Sequence, residues 1–128
     1  LYWYLLDDGV RCCVVHSGLS NAAREQNLID FRKGKYNVLL TSKVLDEGYN
    51  LPKLDLAIIM AGDTTDKQTI QRMGRVLRKK KDQNSKLYQI YCVDTVEQNA
   101  SEERSVIFKR LANLYRDYMY DYNGNMIM

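Results

Sequence analysis

Long apolar runs, paired cysteines and metal-binding motifs are all missing from this 128-residue chain. No apolar run approaches the roughly 20 residues needed to span a bilayer, and no secretory signal pattern opens the sequence. The cysteines are three, an odd number, and they lack metal-type spacing. Since Cys12, Cys13 and Cys92 lie in apolar runs, we expect small buried thiols on strands. These absences argue against a membrane segment, a bound metal and disulfides, and they favour a reducing intracellular compartment.

Positive and negative side chains nearly balance in number, and the formal net charge of +3 only weakly suggests an anionic partner. The hydrophobic and charged fractions are typical of one globular domain. Positive charge is concentrated in residues 75–81, which are nearly all cationic. Part of this run has a simpler explanation, because cations near the end of a helix offset its dipole. The chain opens on Leu1 rather than methionine, and we expect a fragment of a longer protein.

Short apolar runs alternate with amphipathic stretches along the chain. The runs at residues 11–15, 36–41, 56–60 and 87–93 predict strands. Helices are predicted for the first seven residues, from a cap at Ser20 or Asn21 to about Arg32, around residues 68–79 and at residues 101–120. The last of these has an apolar stripe of Val106, Ile107, Leu111, Leu114 and Tyr118. Glycine ends the first two of these helices, at Gly9 and Gly34. Residues 121–128 show no pattern and are predicted to be a frayed tail. Such alternation is typical of an α/β domain with a parallel sheet flanked by helices on both faces.

The most unusual stretch is Gln-Thr-Ile-Gln-Arg-Met-Gly-Arg-Val-Leu-Arg at residues 68–78. Read as a helix, it has an apolar side and an opposite side with an arginine on every turn. Arginine suits phosphate because its planar guanidinium donates two parallel hydrogen bonds and stays charged. Gly74 costs about 1 kcal/mol relative to alanine in mid-helix, which suggests that something approaches its backbone closely. A plain solvated basic face is the alternative.

This stretch resembles motif VI of superfamily 2 helicases and translocases, through Gln-Arg-Met-Gly-Arg-Val-Leu-Arg at residues 71–78. Residues 38–59 resemble motif V and the strand that follows it. The two together are closest in character to the XPB-type branch and related phage and bacterial enzymes. The resemblance implies the second, C-terminal RecA-like domain of a helicase core, truncated at its N-terminus, with residues 1–128 as that domain.

The resemblance also implies roles for individual residues. Arg75 and Arg78 match arginine fingers, catalytic groups that reach the γ-phosphate of ATP. The other residues matching nucleotide-binding positions are Gly48, Asn50, Gln71 and Arg72. The family usually has aspartate where Asn50 stands, so the ribose contact loses its charge; a turn-forming asparagine beside Pro52 is the alternative.

A second set of residues matches positions that contact the nucleic-acid backbone. These are Ser42, Lys43, His16, Ser17 and Gly18. Hydroxyls and backbone amides position phosphates without reading sequence. For His16, a packed or solvated loop histidine is an open alternative.

Parts of the family's machinery are absent from the sequence. There is no G-x-x-x-x-G-K-[S/T] phosphate loop and no acidic box for Mg²⁺. ATP and Mg²⁺ are therefore expected in the intact parent protein, and no cofactor is expected in this chain alone. The expected partners are nucleic acid, DNA rather than RNA, and an N-terminal RecA-like domain of the same protein. A RecA-like module that binds nucleic acid or protein without hydrolysis is the alternative function.

Overall fold

The computed structural model describes residues 1–42, 51–60, 71, 73–75, 77, 85–112 and 114–128. Helices and strands are interspersed along these residues. The elements are α1 (Tyr2–Asp7), β1 (Cys12–Val15), α2 (Asn21–Arg32), β2 (Val38–Thr41), β3 (Leu56–Ile59), β4 (Lys86–Gln89) and α3 (Val96–Leu111). Residues 71 and 73–75, between β3 and β4, also have helical backbone.

The described strands pair in parallel. β1 lies beside β2, with Val15 opposite Thr41, and β3 lies beside β4, with Ile59 opposite Gln89. Parallel strands need a long connection between them, and α2 lies in the connection from β1 to β2. The predicted α/β class with parallel strands is confirmed.

The described residues form two compact units. The first unit comprises those of Leu1–Asp55 and Arg75–Ser85, and the second comprises those of Leu56–Gly74 and Lys86–Met128. Each unit contains one of the parallel strand pairs, β1–β2 or β3–β4.

The core of the first unit forms between β1 and α2. Val15 and Leu28 are buried, and the partly buried Leu39 and Leu51 pack against them. Burying a leucine side chain stabilises a fold by roughly 1.5–3 kcal/mol. One polar contact crosses the same interface, because the side-chain amide of Asn27 donates to the carbonyl of Val14 at 2.9 Å.

Both ends of α2 have the local signals that the sequence predicts. The Ser20 hydroxyl caps the first turn by accepting from the backbone N–H of Ala23 at 3.1 Å. At the other end, Gly34 has a φ of +81°, a left-handed conformation that costs glycine little. Of the two caps that the sequence allows, Ser20 and Asn21, the structure has Ser20, and the predicted termination at Gly34 is confirmed.

The last helix differs from its prediction. It spans Val96–Leu111 rather than residues 101–120, and Thr95 caps it by accepting from the N–H of Glu97 at 3.2 Å. The predicted apolar stripe of Val106, Ile107, Leu111, Leu114 and Tyr118 is wrong as a buried face. Among those five, only Ile107 is not exposed. The buried residues of α3 are Ala100, Ser101, Arg104, Ser105 and Phe108.

Strand β4 is also shorter than predicted, because contacts from the start of α3 replace strand pairing. It ends at Gln89 rather than at Val93. Beyond it, the N–H of Cys92 donates to the Glu97 carboxylate at 3.1 Å, and the Thr95 hydroxyl donates to the carbonyl of Cys92 at 2.7 Å. The prediction that Cys92 is a buried strand thiol is wrong, since this thiol is exposed, whereas Cys12 and Cys13 are buried as expected.

The segment predicted as a frayed tail contains a hydrogen-bonded turn. Tyr120 forms an antiparallel bridge with Met126. The Asp121 carboxylate accepts from the backbone N–H groups of Asn123 and Asn125 at 2.9 and 2.8 Å. These contacts lower the pKa of Asp121 below its usual range, the Asn125 contacts contributing most. Gly124 completes the turn with a φ of +81°.

Candidate functional site

The carboxyl end of the β1–β2 pair brings together the described residues predicted to contact nucleic acid. His16 follows Val15, the last residue of β1, and Ser42 follows Thr41, the last residue of β2. Since Val15 and Thr41 are paired in register, the two loops leave the sheet side by side. His16, Ser42 and the intervening loop residues Ser17 and Gly18 are exposed. Ligands of parallel sheets bind at this end of the strands.

The loop after β1 is a tight turn built around His16. The backbone N–H of Gly18 donates to Nδ1 of His16 at 3.0 Å, and the N–H of Leu19 donates to the His16 carbonyl at 3.1 Å. A Cβ atom at position 18 would lie 2.9 Å from both Nδ1 and Cε1 of the ring. The turn therefore needs glycine at this position as long as the imidazole keeps its place.

Helix α2 starts at the same edge and adds a favourable field for anions. No acidic side chain lies in its first turn, so nothing offsets the partial positive charge of the helix N-terminus. Arg24, one turn into the helix, donates from its guanidinium to the side-chain oxygen of Asn21. The N-terminal end of α2 thus adds a partial positive charge at this edge.

The arginine-rich stretch has helical backbone at residues 71 and 73–75 and a turn at residue 77. Gln71 and Arg75 are exposed, and Met73 and Leu77 are half-buried. This separation of polar and apolar positions agrees with the amphipathic helix predicted from the sequence. The close approach predicted at Gly74 is present as well: a Cβ atom there would lie 2.8 Å from Cδ1 of Leu111.

Several predicted site residues lie outside the described residues. These are Lys43, Gly48, Asn50, Arg72 and Arg78. Their roles stay predictions, as do the functional roles of the residues that the structure places.

The second unit contains a buried polar cluster that the sequence pattern did not reveal. We call it the Arg104 cluster, after an arginine that is only 2% exposed. Nε of Arg104 donates to Oε1 of Gln89 at 3.0 Å, and Nε2 of Gln89 donates to the Ser105 hydroxyl at 3.2 Å. The Tyr115 hydroxyl donates to Ser105 Oγ at 3.2 Å, and Lys109 Nζ lies 4.5 Å from the centre of the Tyr115 ring.

Burial has electrostatic consequences in this cluster. It lowers the pKa of the Arg104 guanidinium and is the main cause of the raised pKa of Tyr115. Gln89 is the last residue of β4, so the cluster attaches the carboxyl end of that strand to α3. The signal that could have found it is the helical spacing of Ser101, Arg104 and Ser105, with Phe108 completing the face.

Two kinds of site are not found in the described part of the chain. No group of three or more histidine, cysteine, aspartate or glutamate side chains could hold a metal ion there. Within the same residues, no helix is long and apolar enough to cross a membrane.

Comparison with protein families identifies the chain. The family described as the helicase conserved C-terminal domain matches residues 2–80. The chain belongs to this family. The matched segment contains His16, Ser42, Gln71 and Arg75, and the family is found in ATP-dependent helicases and translocases. The superfamily 2 resemblance predicted from the motifs is confirmed.

Relatives of this helicase C-terminal domain agree with that assignment. The DNA 3'-5' translocase XPB2 of Sulfurisphaera tokodaii is 43% identical over 81 residues, covering 63% of this chain and 18% of the relative. The UvrABC system protein B of Colwellia psychrerythraea is 34% identical over 80 residues, covering 59% of this chain and 12% of the relative. The chain thus spans less than a fifth of the length of these relatives.

A solved structure supports the fold. The C-terminal domain of the DEAD-box protein Dbp5 matches with a TM-score of 0.63 and 23% identity, covering 85% of this chain and 62% of that one. At this identity the likeness concerns the fold alone. It agrees with the parallel α/β architecture of the helicase C-terminal domain.

Proposed function

We propose that this chain is the C-terminal motor domain of an ATP-dependent nucleic-acid helicase or translocase, with residues 1–128 as its second RecA-like domain. The observation that carries the proposal is the family match over residues 2–80, with Gln71 and Arg75 exposed on helical backbone inside it. The motor would need a second RecA-like domain, which supplies the rest of the ATP site.

In this proposal Arg75 and Arg78 are arginine fingers. A phosphoryl transition state gathers negative charge on its oxygens, and a guanidinium that reaches it contributes about 10³ to 10⁵ in rate. The exposed position of Arg75 fits this role. Gln71 and Arg72 would connect the nucleotide to the domain, and Gly48 and Asn50 would line its sugar side. Bound Mg²⁺ would neutralise phosphate charge, and we assign its ligands to the other domain, because the family's acidic box is not part of this sequence.

The carboxyl edge of β1–β2 is the proposed contact with the nucleic-acid backbone. The Ser42 hydroxyl, the amides of Ser17 and Gly18, the His16 ring and Lys43 would hold phosphates there. Such contacts fix position without reading sequence, as a motor that moves along any sequence requires. We propose DNA rather than RNA, because the relative that is 43% identical is named a DNA translocase.

The test uses the intact parent protein. ATP hydrolysis is measured with and without duplex DNA, for the wild type, for Arg75→Ala and for Arg110→Ala, an exposed arginine of α3 that serves as the matched control. We expect DNA to stimulate hydrolysis, Arg75→Ala to lower it by about 10³-fold or more, and Arg110→Ala to leave it unchanged.

Two outcomes would contradict the proposal in different ways. Undiminished hydrolysis by a folded Arg75→Ala protein would remove the finger assignment. A parent that hydrolyses no ATP with DNA or RNA would favour the non-hydrolysing binding module instead.

A further inference from the structure

The hydrogen bond inside the loop after β1 bears on which ring nitrogen of His16 has the proton. Gly18 donates its backbone N–H to Nδ1 of the ring at 3.0 Å. A ring nitrogen that accepts a hydrogen bond bears no proton, and a neutral imidazole then has its proton on the other nitrogen. The loop geometry therefore selects the neutral ring with the proton on Nε2.

The position of the Gly18 backbone shows how closely the loop holds this ring. The space where a Cβ of residue 18 would stand is only 2.9 Å from Nδ1 and Cε1, nearer than real carbon contacts allow. Glycine thus lets the backbone approach the ring edge closely enough for its N–H to bond. Any other residue at position 18 would push the imidazole out of this position or move the loop.

The opposite edge of the ring is available to a ligand. His16 is exposed, and within the part of the chain that the structure describes Nε2 makes no hydrogen bond. Ser42 leaves the neighbouring strand at the same level, because Val15 and Thr41 are paired. A neutral N–H donor and a hydroxyl donor therefore stand on adjacent loops at one edge.

We propose that His16 contacts the nucleic-acid backbone as a neutral hydrogen-bond donor, giving its Nε2–H to a phosphate oxygen beside the Ser42 hydroxyl, with Gly18 as the positioning residue that fixes the tautomer. This inference rests on the proposed function, and it specifies the donor atom and its charge state. A neutral donor differs measurably from a cationic one. Each cation that neutralises a phosphate releases counterions and adds about 1 to the slope of log affinity against log salt, whereas a neutral imidazole adds nothing.

The first experiment reads the tautomer directly in this 128-residue chain. Long-range proton–nitrogen correlation spectra of the isotope-labelled chain are recorded at about pH 8, where imidazole side chains are ordinarily neutral. We expect an unprotonated Nδ1 and a protonated Nε2. In Gly18→Ala we expect the signature of both tautomers in exchange. A protonated Nδ1 or averaged tautomers in the wild type would overturn the inference.

The second experiment adds a duplex DNA oligonucleotide to the same labelled chain. We expect the Nε2 resonance to shift, while the hydrogen bond from the Gly18 N–H to Nδ1 remains. If the Ser42 amide shifts and Nε2 does not, the inference fails while the proposed nucleic-acid edge stands. If no resonance at this edge responds to DNA or to RNA, the inference and the proposed edge both fail.

The third experiment separates the two nitrogens and tests the charge. In His16→Asn the shorter side chain still offers an acceptor near the Nδ1 position but has no donor at the Nε2 position. We expect the hydrogen bond from the Gly18 N–H to persist and DNA affinity to fall by about tenfold. The slope of log affinity against log salt should stay that of the wild type. A slope reduced by about 1 would show that His16 binds as a cation, and unchanged affinity would show that it does not bind; either result overturns the proposal.

Discussion

The contact between Gly74 and Leu111 offers a quantitative test of the packing in the second unit. Gly74 lies in helical backbone, and Leu111 is the last residue of α3. A Cβ atom at position 74 would lie 2.8 Å from Cδ1 of Leu111. Changing Gly74 to alanine therefore has two opposed effects, one on the helix and one on this contact.

The sizes of the two effects can be worked from the structure. Alanine is favoured over glycine within a helix by about 1 kcal/mol. Carbon atoms separate best at about 3.5–4.0 Å, so the Leu111 methyl must move by about 1 Å. Overpacking a rigid core costs roughly 1–3 kcal/mol. Leu111 is 57% exposed, so its side chain can turn toward solvent and relieve the contact at a smaller cost. We expect Gly74→Ala alone to change the free energy of unfolding by less than about 0.5 kcal/mol.

Removing the obstructing side chain should expose the helix effect in full. In a Leu111→Ala background, Gly74→Ala should stabilise by about 1 kcal/mol, a coupling of about 0.5–1.5 kcal/mol between the two sites. Urea unfolding of the wild type, the two single variants and the double variant measures this coupling, with the dependence of the unfolding free energy on urea concentration held the same for all four. A matched cycle uses Val106→Ala, whose side chain in the same helix is 55% exposed, and should be additive. Equal stabilisation by Gly74→Ala with and without Leu111 would refute the contact.

Three further predictions concern the first unit and the thiols. Leu28→Ala, at a side chain with 0% exposure, should lower the unfolding free energy by about 2–5 kcal/mol, measured by urea unfolding. Its control, Glu25→Ala on the exposed face of the same helix, should change that free energy by less than about 0.5 kcal/mol. Ser20→Ala should cost about 1 kcal/mol and Ser20→Gly only a few tenths, because glycine tolerates the cap conformation. At about pH 8 a thiol reagent should label the exposed Cys92 before Cys13, whose pKa burial raises from its ordinary 9.0 to about 11. As the pH rises through that interval, the unfolded chain loses the Cys13 proton before the folded chain does, so the unfolding free energy should fall. In Cys13→Ala, the urea concentration at the unfolding midpoint should fall less over the same pH interval.

Elements with local signals could be predicted from the sequence. The continuous apolar run of β1 identified a buried strand, and the hydroxyl of Ser20 and the glycine at position 34 set both ends of α2. Parallel pairing then placed the His16 loop and Ser42 at one edge, because the carboxyl ends of parallel strands meet there. The hydrogen bond that the Gly18 amide donates to the His16 ring was out of reach, since it depends on the exact path of the loop backbone.

The errors concern α3 and its surroundings, where polar residues occupy positions that apolar periodicity assigns to hydrophobic ones. Arg104 is buried and donates to Gln89; helical spacing can indicate the face of α3 that includes Arg104, but it cannot indicate a partner on another element. The apolar Val106 and Leu111 are exposed instead, so a stripe drawn through them selected the wrong side. The turn at Asp121 was recognisable in principle, because aspartate followed by asparagine and glycine is a common turn sequence.

The strand pairings described above have a consequence for biosynthesis. β1 pairs with β2, and the connection between these two strands contains only the helix α2. A ribosome that makes the protein from its N-terminal side therefore completes everything this pairing requires before it translates β4 and α3. Domains generally fold as units during synthesis at about 5–20 residues per second. The edge containing His16 and Ser42 can thus take shape on the nascent chain while the codons for the Arg104 cluster are still unread.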